Sequence, residues 1–450
     1  MKRFVDYFLL EWKNRPGRKP LLLRGARQVG KTHAVRALGA TFSNFIEINL
    51  ETDEQARKII QKDLDLDRIV LQLSELLQKT IHPGSTLLFF DEIQQVPQAI
   101  IALRYFYEKM PDLHVIAAGS LLEFAIEQVG VPVGRVSFLY MYPLSFLEFL
   151  AALGHEQWLK AILTYSPENP MNPELHEKLI AVLGHYIAIG GMPDAVNEWV
   201  TTKTSRSVKI IHSSLIDTYQ ADFGKYAKNH QIKYLALVFL KAMEQLSRKF
   251  VFSRVGEYQK RELSPALELL EKAGILYPVI KSDGQGIPIG AHADLSDFKL
   301  IFLDVGLSQI LLNLDIAPWF IDPLQSFVNK GEIIEAFVGQ ELLAYSDPIT
   351  KEKLFYWHRD SRGSMAELDY LIQIKENVVP IEVKSGASKR IKSMHAFLDS
   401  HKNSSYGLRF WTGDYLQEQR IVFYPLFAVA KPLADANPHV HAALMSLVQK

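Results

Sequence analysis

The run Gly25-Ala-Arg-Gln-Val-Gly-Lys31-Thr32 constrains this chain more than any other feature of its sequence. It follows the apolar stretch 21–23 and leads into a helical pattern that begins at Ala34. A strand, a glycine-bounded loop and a helix in this order are the context that a phosphate-binding loop requires. Glycines let backbone N–H groups turn toward a phosphate, and the helix N-terminus adds partial positive charge. We expect Lys31 to reach the β- and γ-phosphates of a nucleotide and the Thr32 hydroxyl to ligate Mg²⁺.

Two acidic residues end a buried-strand pattern farther along the chain. The run 87–90 is continuously apolar, which is typical of a parallel strand covered on both faces, and Asp91 and Glu92 follow it. Ligands of such sheets lie beyond the carboxyl ends of the strands. We therefore expect Asp91 to bind Mg²⁺ directly or through a ligand water, and Glu92 to act as the base that polarises the attacking water.

A third apolar run, 114–118, is followed by Gly119 and Ser120. The Ser120 hydroxyl could contact the γ-phosphate or position water, and a simple turn serine is the alternative.

Composition limits the class of protein. The 450 residues suffice for about three domains. A hydrophobic content of 48% with 22% charged residues is typical of a globular chain with a sizeable core. The formal net charge is +0, so any contact with nucleic acid must come from local patches. The chain has no cysteine, which excludes disulfides and thiolate zinc sites.

The N-terminal segment 1–13 predicts an amphipathic helix, because Asp6, Glu11 and Lys13 interrupt its apolar residues. No uninterrupted apolar stretch approaches the ~20 residues needed to span a bilayer. We expect a soluble, cytoplasmic protein without a membrane partner.

The order of patterns predicts four regions. Residues 1–150 alternate strand and helix patterns, which indicates an α/β domain with a parallel sheet. Residues 151–229 are mostly helical. Residues 230–325 contain three helical patterns (234–246, 252–258 and 263–273) and a strand pattern (275–280), an order that fits a winged helix. Residues 326–450 form a C-terminal α/β domain that carries a second chemical signal.

That second signal is an acid–acid–lysine pattern on two predicted strands. Glu382 and Lys384 are two residues apart in the alternating run 378–385, so they share one face of a strand. If this run pairs as a hairpin with the run 366–372, Asp369 can join them. Carboxylates suit Mg²⁺, and a lysine could orient or deprotonate an attacking water. An ordinary hairpin with exposed salt-bridging residues is the alternative reading.

The predicted helix 332–345 precedes these strands and supplies further acids. Ile334, Val338, Leu342 and Tyr345 mark its apolar face. Glu335 flanks that face and Glu341 lies within the helix, so either could point inward. A helix predicted over 389–398 follows the strands.

Several segments together resemble a prokaryotic ATPase family with an AAA-type core and a C-terminal region of unassigned role. They are the loop 25–32, Phe-Asp-Glu-Ile-Gln at 90–94, Ala-Gly-Ser at 118–120, Tyr-Pro-Leu-Ser-Phe-Leu-Glu-Phe at 142–149, Gly-Gly-Met-Pro at 190–193 and Lys-Leu-Ile-Phe-Leu-Asp-Val-Gly-Leu at 299–307. The C-terminal part resembles a PD-(D/E)XK nuclease fold, which has an acidic helix and an Asp…Glu-x-Lys pattern on its strands.

The resemblance implies a role for each candidate residue. It implies that the nucleotide is bound by Gly25, Ala26, Arg27, Gln28, Val29, Gly30, Lys31 and Thr32. It implies that Asp91 and Glu92 form the Walker B pair and that Ser120 is the sensor. Arg135 becomes a candidate arginine finger or sensor, in cis or across subunits, and an ion-paired surface arginine is the alternative. On the nuclease side, the match is to Glu335, Asp369, Glu382 and Lys384, with Glu335 favoured over Glu341.

The expected function is ATP binding and hydrolysis with Mg²⁺ by a protein that acts on nucleic acid, DNA in the first place. A metal-dependent nuclease centre would bind Mg²⁺ or Mn²⁺ at Asp369 and Glu382. The alternative is a nucleotide-driven switch that recruits a protein partner, with an inactive C-terminal fold. The sequence leaves homo-oligomerisation open.

Overall fold

A computed structural model describes residues 1–130, 134–167, 169–361, 364–386 and 391–448, apart from the side chains of residues 360, 361, 364 and 365. In these residues no helix combines the length and the apolar character that a membrane crossing needs. The start of the helix predicted over 389–398 lies outside the described residues.

The N-terminal residues form an α/β unit around a parallel sheet, as the sequence predicts. The sheet has five strands in the order β2-β3-β4-β1-β5. Its strands are β1 (Leu21–Arg24), β2 (Asn44–Asn49), β3 (Thr86–Asp91), β4 (His114–Ala118) and β5 (Ser137–Tyr140). Its helices are α1 (Phe4–Asn14), α2 (Lys31–Gly39), α3 (Glu54–Lys62), α4 (Leu66–Leu77), α5 (Pro97–Lys109), α6 (Leu122–Val129) and α7 (Phe146–Ala152). Helices cover both faces of the sheet, so β3 and β4 are buried along their whole length.

A helical region follows and ends in a β-hairpin. Its helices are α8 (Glu156–Thr164), α9 (Pro173–Ile189), α10 (Pro193–Thr202), α11 (Ser205–Ala221), α12 (Phe223–Tyr226), α13 (Asn229–Met243) and α14 (Lys260–Lys272). The hairpin strands β6 (Leu276–Ser282) and β7 (Ala293–Phe302) pair antiparallel. Three short helices come next, α15 (Val305–Leu311), α16 (Pro318–Ile321) and α17 (Pro323–Asn329).

The C-terminal residues build an eight-stranded mixed sheet in the order β12-β13-β11-β10-β9-β8-β6-β7. The remaining strands are β8 (Leu354–Ser361), β9 (Ser364–Ile374), β10 (Asn377–Val383), β11 (Gly407–Trp411), β12 (Leu416–Glu418) and β13 (Ile421–Pro425). The remaining helices are α18 (Gly331–Ala344), α19 (Lys392–Ser400), α20 (Ala430–Ala436) and α21 (Pro438–Ser446). The pairing of β6 with β8 extends this sheet through the hairpin of the preceding region.

One predicted helix is wrong. The pattern 252–258 forms only the 3₁₀ turn Phe252–Arg254. Gly256 disfavours continuation by about 1 kcal/mol relative to alanine, and the chain then becomes extended at Gln259, which caps α14. The observed order is therefore helix, 3₁₀ turn, helix and hairpin.

Buried acids join the N-terminal and C-terminal parts. The carboxylate of Glu341 on α18 accepts the backbone N–H of Phe146 at 3.0 Å, at the start of α7. Asp304 accepts the N–H of Gly191 at 2.6 Å, and Gly191 in turn accepts the N–H of Leu144 at 2.7 Å. Burial raises the pKa of Asp304 to about 6 and that of Glu341 to about 8. The segments 142–149, 190–193 and 299–307 thus meet in one buried joint.

Candidate functional site

The phosphate-binding loop is shaped by two glycines. Gly25 follows β1 with φ +148°, and a Cβ added there would lie 2.2 Å from the carbonyl oxygen of Met141. Gly30 has φ +97° and precedes the first residue of α2. Only glycine tolerates such a contact and such angles without strain, so both positions require it. The loop therefore leads directly into the N-terminus of α2, where free backbone N–H groups suit an anion.

Lys31 folds back onto its own loop. Its Nζ donates to the carbonyl oxygens of Gly25 at 2.9 Å and Ala26 at 2.7 Å. The side chain is buried, and burial lowers its pKa to about 8. Its charge is held by neutral carbonyls at direct contact, with the carboxylates of Asp91 and Glu92 acting from farther away. An anion bound at the loop would therefore give the Lys31 ammonium a direct negative partner, which the carbonyl oxygens do not provide.

Asp91 lies opposite the loop because β3 ends at the same edge of the sheet as β1. The Thr32 hydroxyl donates to Asp91 Oδ2 at 2.9 Å. Burial raises the pKa of Asp91, while the hydrogen bond from Thr32 opposes that shift. A hydroxyl and a carboxylate at this separation are oxygen ligands of the kind that Mg²⁺ takes beside nucleotide phosphates, so these two residues fit the ion.

Glu92 is held by two polar side chains. Its Oε2 accepts from the Ser120 hydroxyl at 3.2 Å and from the Gln94 amide. Its backbone is left-handed with φ +51°, an uncommon conformation for a residue with a side chain. Gly119 leaves room for Gln94, since a Cβ on Gly119 would lie 2.0 Å from Gln94 Oε1. The structure thus brings Asp91, Glu92 and Ser120 together at the edge of the sheet.

Two contacts that hold the loop in place were not predicted from the sequence. They involve Arg3 and Asp222, which were not candidates, and Arg27, which was predicted only to bind nucleotide. Arg3, which precedes α1, donates to the carbonyl oxygen of Val29 at 2.7 Å and pairs with buried Glu148 at 2.8 Å. Arg27, on the loop itself, pairs with Asp222 at 2.5 Å, next to α12. Arg3 and Asp222 are far from the loop in sequence, so no local pattern could indicate either contact.

Arg135 does not lie in the nucleotide site of its own chain. It precedes β5 and pairs with Glu108 on α5 at 2.9 Å, on the surface. Leu21 pairs with Ser137 and Arg24 with Tyr140, so Arg135 lies before the amino end of β5, while the loop follows the carboxyl end of β1. The four residues of β5 alone separate the two ends by ~10 Å. Of the alternatives left open by the sequence, this position disfavours a role in the nucleotide site of the same chain. The observed contact is that of an ion-paired surface arginine, and a role across subunits stays a prediction.

In the C-terminal sheet, β9 and β10 pair antiparallel as predicted, from Asn377–Ile374 to Ile381–Tyr370. Beyond that point Asp369 Oδ2 accepts the backbone N–H of Val383 at 2.6 Å. A side chain thus replaces the ladder bond and lets the two strands separate. On its other side β9 carries a bulge, because three steps from Leu368 to Leu371 span two steps of β8. Bulges of this kind redirect side chains beside functional sites.

Glu382 and Lys384 lie together on β10. Lys384 Nζ lies 3.6 Å from Glu382 Oε1, and buried Arg409 of β11 approaches Glu382 Oε2 to 4.0 Å. Glu382 is 6% exposed, and its Oε2 makes no hydrogen bond within the described residues. Burial raises the pKa of Glu382, as it does that of Asp369.

Glu335 belongs to a different part of the same centre. Its Oε1 accepts from Nζ of Lys299 at 2.8 Å, and Lys299 also contacts Glu367 Oε1 at 2.5 Å. Burial and the nearby Asp369 raise the pKa of Glu335, while Lys299 opposes that shift. Glu341 lies instead in the buried joint with α7.

Residues Val379, Ile381 and Val383 share a core cluster with Ile334 of α18, so alternation puts Glu382 and Lys384 on the opposite face of β10. Asp369 lies where the two groups of charges meet. Among the residues that the structure describes, no group of three or more His, Asp or Glu side chains is placed to hold a metal ion. Asp369 and Glu382 remain the candidate cation pair of the sequence analysis, and within the described residues Glu382 Oε2 is buried without a hydrogen bond.

The parallel sheet, the loop and the acids that follow β3 define a P-loop nucleotide-binding domain. Residues 17–150 match the family model described as the AAA domain, which supports an AAA-type ATPase-like domain in this part of the chain. Residues 181–317 and 330–428 match models of two domains of unknown function, DUF8612 and DUF4143. No curated protein matches the chain.

Solved structures give only distant likenesses. The Walker-type ATPase PABY2304 of Pyrococcus abyssi is 17% identical over 68% of this chain and 94% of its own, with a TM-score of 0.40. The ORC1 protein of Aeropyrum pernix, solved in complex with DNA, is 13% identical over 70% and 91%, with a TM-score of 0.29. PCH-2 of C. elegans is 13% identical over 44% and 61%, with a TM-score of 0.24. At these TM-scores the likenesses carry no argument about this chain.

Proposed function

We propose that the protein hydrolyses ATP in its N-terminal domain. The contact between the Thr32 hydroxyl and Asp91 carries this proposal, because it places two Mg²⁺-ligand oxygens beside the phosphate-binding loop. When bound, Mg²⁺ supplies charge stabilisation on the β- and γ-phosphate oxygens.

The protein side chains divide the remaining work. Lys31 leaves the carbonyl oxygens of Gly25 and Ala26 for the phosphates and carries positive charge to them. Glu92 orients the attacking water and accepts its proton, and Ser120 and Gln94 hold the carboxylate in place. Positioning and electrostatic stabilisation together provide most of the catalysis in phosphoryl transfer.

Phosphate release from ATP by the full chain tests the proposal. We expect Mg²⁺-dependent turnover in the wild type and its loss in Lys31→Ala. The matched control is Lys58→Ala, which removes an exposed lysine that pairs with Glu54 on the surface of α3. Turnover by Lys31→Ala at the wild-type rate would overturn the assignment of the loop.

For the C-terminal domain we propose a second function, metal-dependent cleavage of a phosphodiester bond in nucleic acid. The buried Glu382 Oε2, which has no hydrogen-bond partner in the described part of the chain and lies near Asp369 and Lys384, supports this proposal. A bound Mg²⁺ or Mn²⁺ would supply Lewis-acid stabilisation there. Lys384 lies within reach of Glu382 and can orient an attacking water. The order α18, β8, β9, β10, α19, β11, with β10 parallel to β11, supports the PD-(D/E)XK likeness.

DNA is the substrate that we propose first, and the helix, turn, helix and hairpin of 229–302 supports a winged-helix-like contact with it. Labelled single- and double-stranded DNA, incubated with Mg²⁺ or Mn²⁺ with and without ATP, tests cleavage. We expect cleavage by the wild type and its loss in Lys384→Ala, with Lys58→Ala as control. If no condition gives cleavage, the C-terminal domain is a binding fold, and a nucleotide-driven switch that recruits a protein partner becomes the better proposal.

A further inference from the structure

A buried lysine stands in the middle of the C-terminal acids. Lys299, on β7, is 2% exposed, and its Nζ contacts Glu335 at 2.8 Å and Glu367 at 2.5 Å. The two carboxylates come from α18 and β9, so a single ammonium bridges a helix and a strand. Bridging two carboxylates from different elements is also what a divalent cation does in a protein site.

The surroundings of Lys299 keep its charge in place. Burial alone would lower its pKa, but Glu335, Asp369 and Glu367 outweigh burial and hold the pKa above its ordinary value. The ring of Tyr356 lies 5.0 Å from Nζ and adds a cation–π contact. A buried ammonium is stable only when it is paired and hydrogen-bonded. Here its partners are carboxylates, which are then not free to bind a metal ion.

The described charged side chains of this centre include more acids than bases. Five carboxylates, Glu335, Asp369, Glu367, Glu382 and Glu418, lie near three cations, Lys299, Lys384 and Arg409. Among these eight described residues two negative charges are left, which one divalent cation would neutralise. A second divalent cation would leave an excess of positive charge.

We propose that the ammonium of Lys299 occupies the place of a second metal ion, so that the centre binds one divalent cation, at Asp369 and Glu382. Glu335 is then a positioning residue, which holds Lys299 beside Asp369, and not a metal ligand. This inference rests on the proposed metal-dependent function of the C-terminal domain and specifies which residues bind the metal.

Mn²⁺ binding to the full chain, followed by electron paramagnetic resonance without nucleotide, tests the inference. Every sample carries Asp91→Asn, which removes the metal contribution of the N-terminal site. We expect one bound Mn²⁺ per chain, its loss with Asp369→Asn, and its retention within about threefold in affinity with Glu335→Gln. The Glu335→Gln side chain can still accept the hydrogen bond from Lys299, and Glu367 still pairs with this lysine, so we expect the variant to fold.

Loss of Mn²⁺ in Glu335→Gln, or two bound ions in the parent, would overturn the inference, even if DNA is cleaved. If Glu335→Gln still binds one Mn²⁺ but the protein cleaves no DNA, the inference is supported and the proposed cleavage is contradicted. Absence of any Mn²⁺ from the parent would overturn both. Lys299→Met provides a second test. We expect a second Mn²⁺ to bind once the ammonium is gone. A single bound ion, as in the parent, would count against the role of the Lys299 ammonium as a cation substitute.

Discussion

The two charged sites of this protein each contain a buried lysine, and the two lysines have opposite environments. Lys31 donates to the neutral carbonyl oxygens of Gly25 and Ala26, and its pKa is lowered to about 8 by burial. Lys299 contacts the carboxylates of Glu335 and Glu367, and its pKa is raised. The ammonium of Lys31 can therefore pair with a bound anion, whereas the ammonium of Lys299 is already paired with carboxylates of the folded chain.

This difference separates a site built to receive a highly charged ligand from one that is largely neutralised by its own side chains. In the N-terminal site the folded chain tolerates an unfavourable charge, which a nucleotide relieves. In the C-terminal centre, Lys299, Lys384 and Arg409 compensate most of the acids before any metal binds. Stability and ligand binding should therefore respond differently to matched changes at the two lysines.

The largest expected difference is in stability. Lys299→Met leaves Glu335 buried without its charge partner, so we expect a loss of about 3–5 kcal/mol in the free energy of unfolding. Lys31→Met removes a charge that folding disfavours, so the nucleotide-free protein should lose less than ~1 kcal/mol or gain stability. Chemical denaturation of both variants measures this. Equal losses would show that the two lysines do not differ as described.

Next in size is the effect of a methyl group in the loop. Gly25→Ala would place a Cβ 2.2 Å from a backbone oxygen at a strained φ, which must move the loop. We expect ATP affinity to fall by about 100-fold, or roughly 2.7 kcal/mol. The control is Gly84→Ala, which shares a positive φ but has open space around its Cβ. Titration with a fluorescent ATP analogue measures both, and an equal loss in the two variants would argue against the steric explanation.

Because the pKa of Lys31 is lowered, we expect both the stability of the nucleotide-free protein and its ATP affinity to depend on pH. Between about pH 8 and the ordinary lysine pKa near 10.5, the unfolded chain holds a proton that the folded, nucleotide-free chain has lost, so stability should rise with pH in this window. ATP binding restores the proton, and ATP affinity should fall by up to about tenfold per pH unit above pH 8. Lys299 loses its stabilising contribution only above the ordinary lysine range.

Calorimetry of ATP binding at pH 9, in buffers of different ionisation enthalpy, measures the proton uptake. We expect uptake of a proton at pH 9 and none at pH 7. Equal proton uptake at both values would mean that Lys31 keeps its charge throughout.

The smallest effect is expected for Arg135→Ala. Arg135 and Glu108 are exposed partners at the opposite edge of the sheet from the loop, so turnover of dilute protein should stay within twofold of the wild type. Turnover per chain, measured over a range of protein concentrations, checks this. A loss at every concentration would restore a role for Arg135 in its own site. A concentration-dependent rise that only the wild type shows would establish its action across subunits.

The nucleotide site was predictable because its parts follow one another along the chain. β1, the loop and α2 are consecutive, and Asp91 and Glu92 directly follow a buried strand, so alternation and the glycines place Lys31, Thr32 and Asp91 together. Gln94 was visible in the motif at 90–94, but its contact with Glu92 depends on the 3₁₀ turn Ile93–Gln95 and on the space beside Gly119.

The C-terminal centre was predictable only in part. The spacing of Glu382 and Lys384 and the hairpin with Asp369 are local, and both are present. Lys299 and Arg409 come from β7 and β11, and only the eight-stranded sheet brings these strands into one layer. The bulge at Asp369 and Tyr370 also breaks the simple alternation on which a strand prediction relies.

The most direct test of ATP hydrolysis at the N-terminal site is a single-turnover assay of wild type and Glu92→Gln, measured beside ATP affinity. We expect Glu92→Gln to bind ATP within about threefold of the wild type and to hydrolyse it at least 100-fold more slowly, because the base is lost while Lys31, Thr32 and Asp91 remain. Hydrolysis by Glu92→Gln at the wild-type rate, or ATP binding by the wild type without hydrolysis, would contradict this expectation.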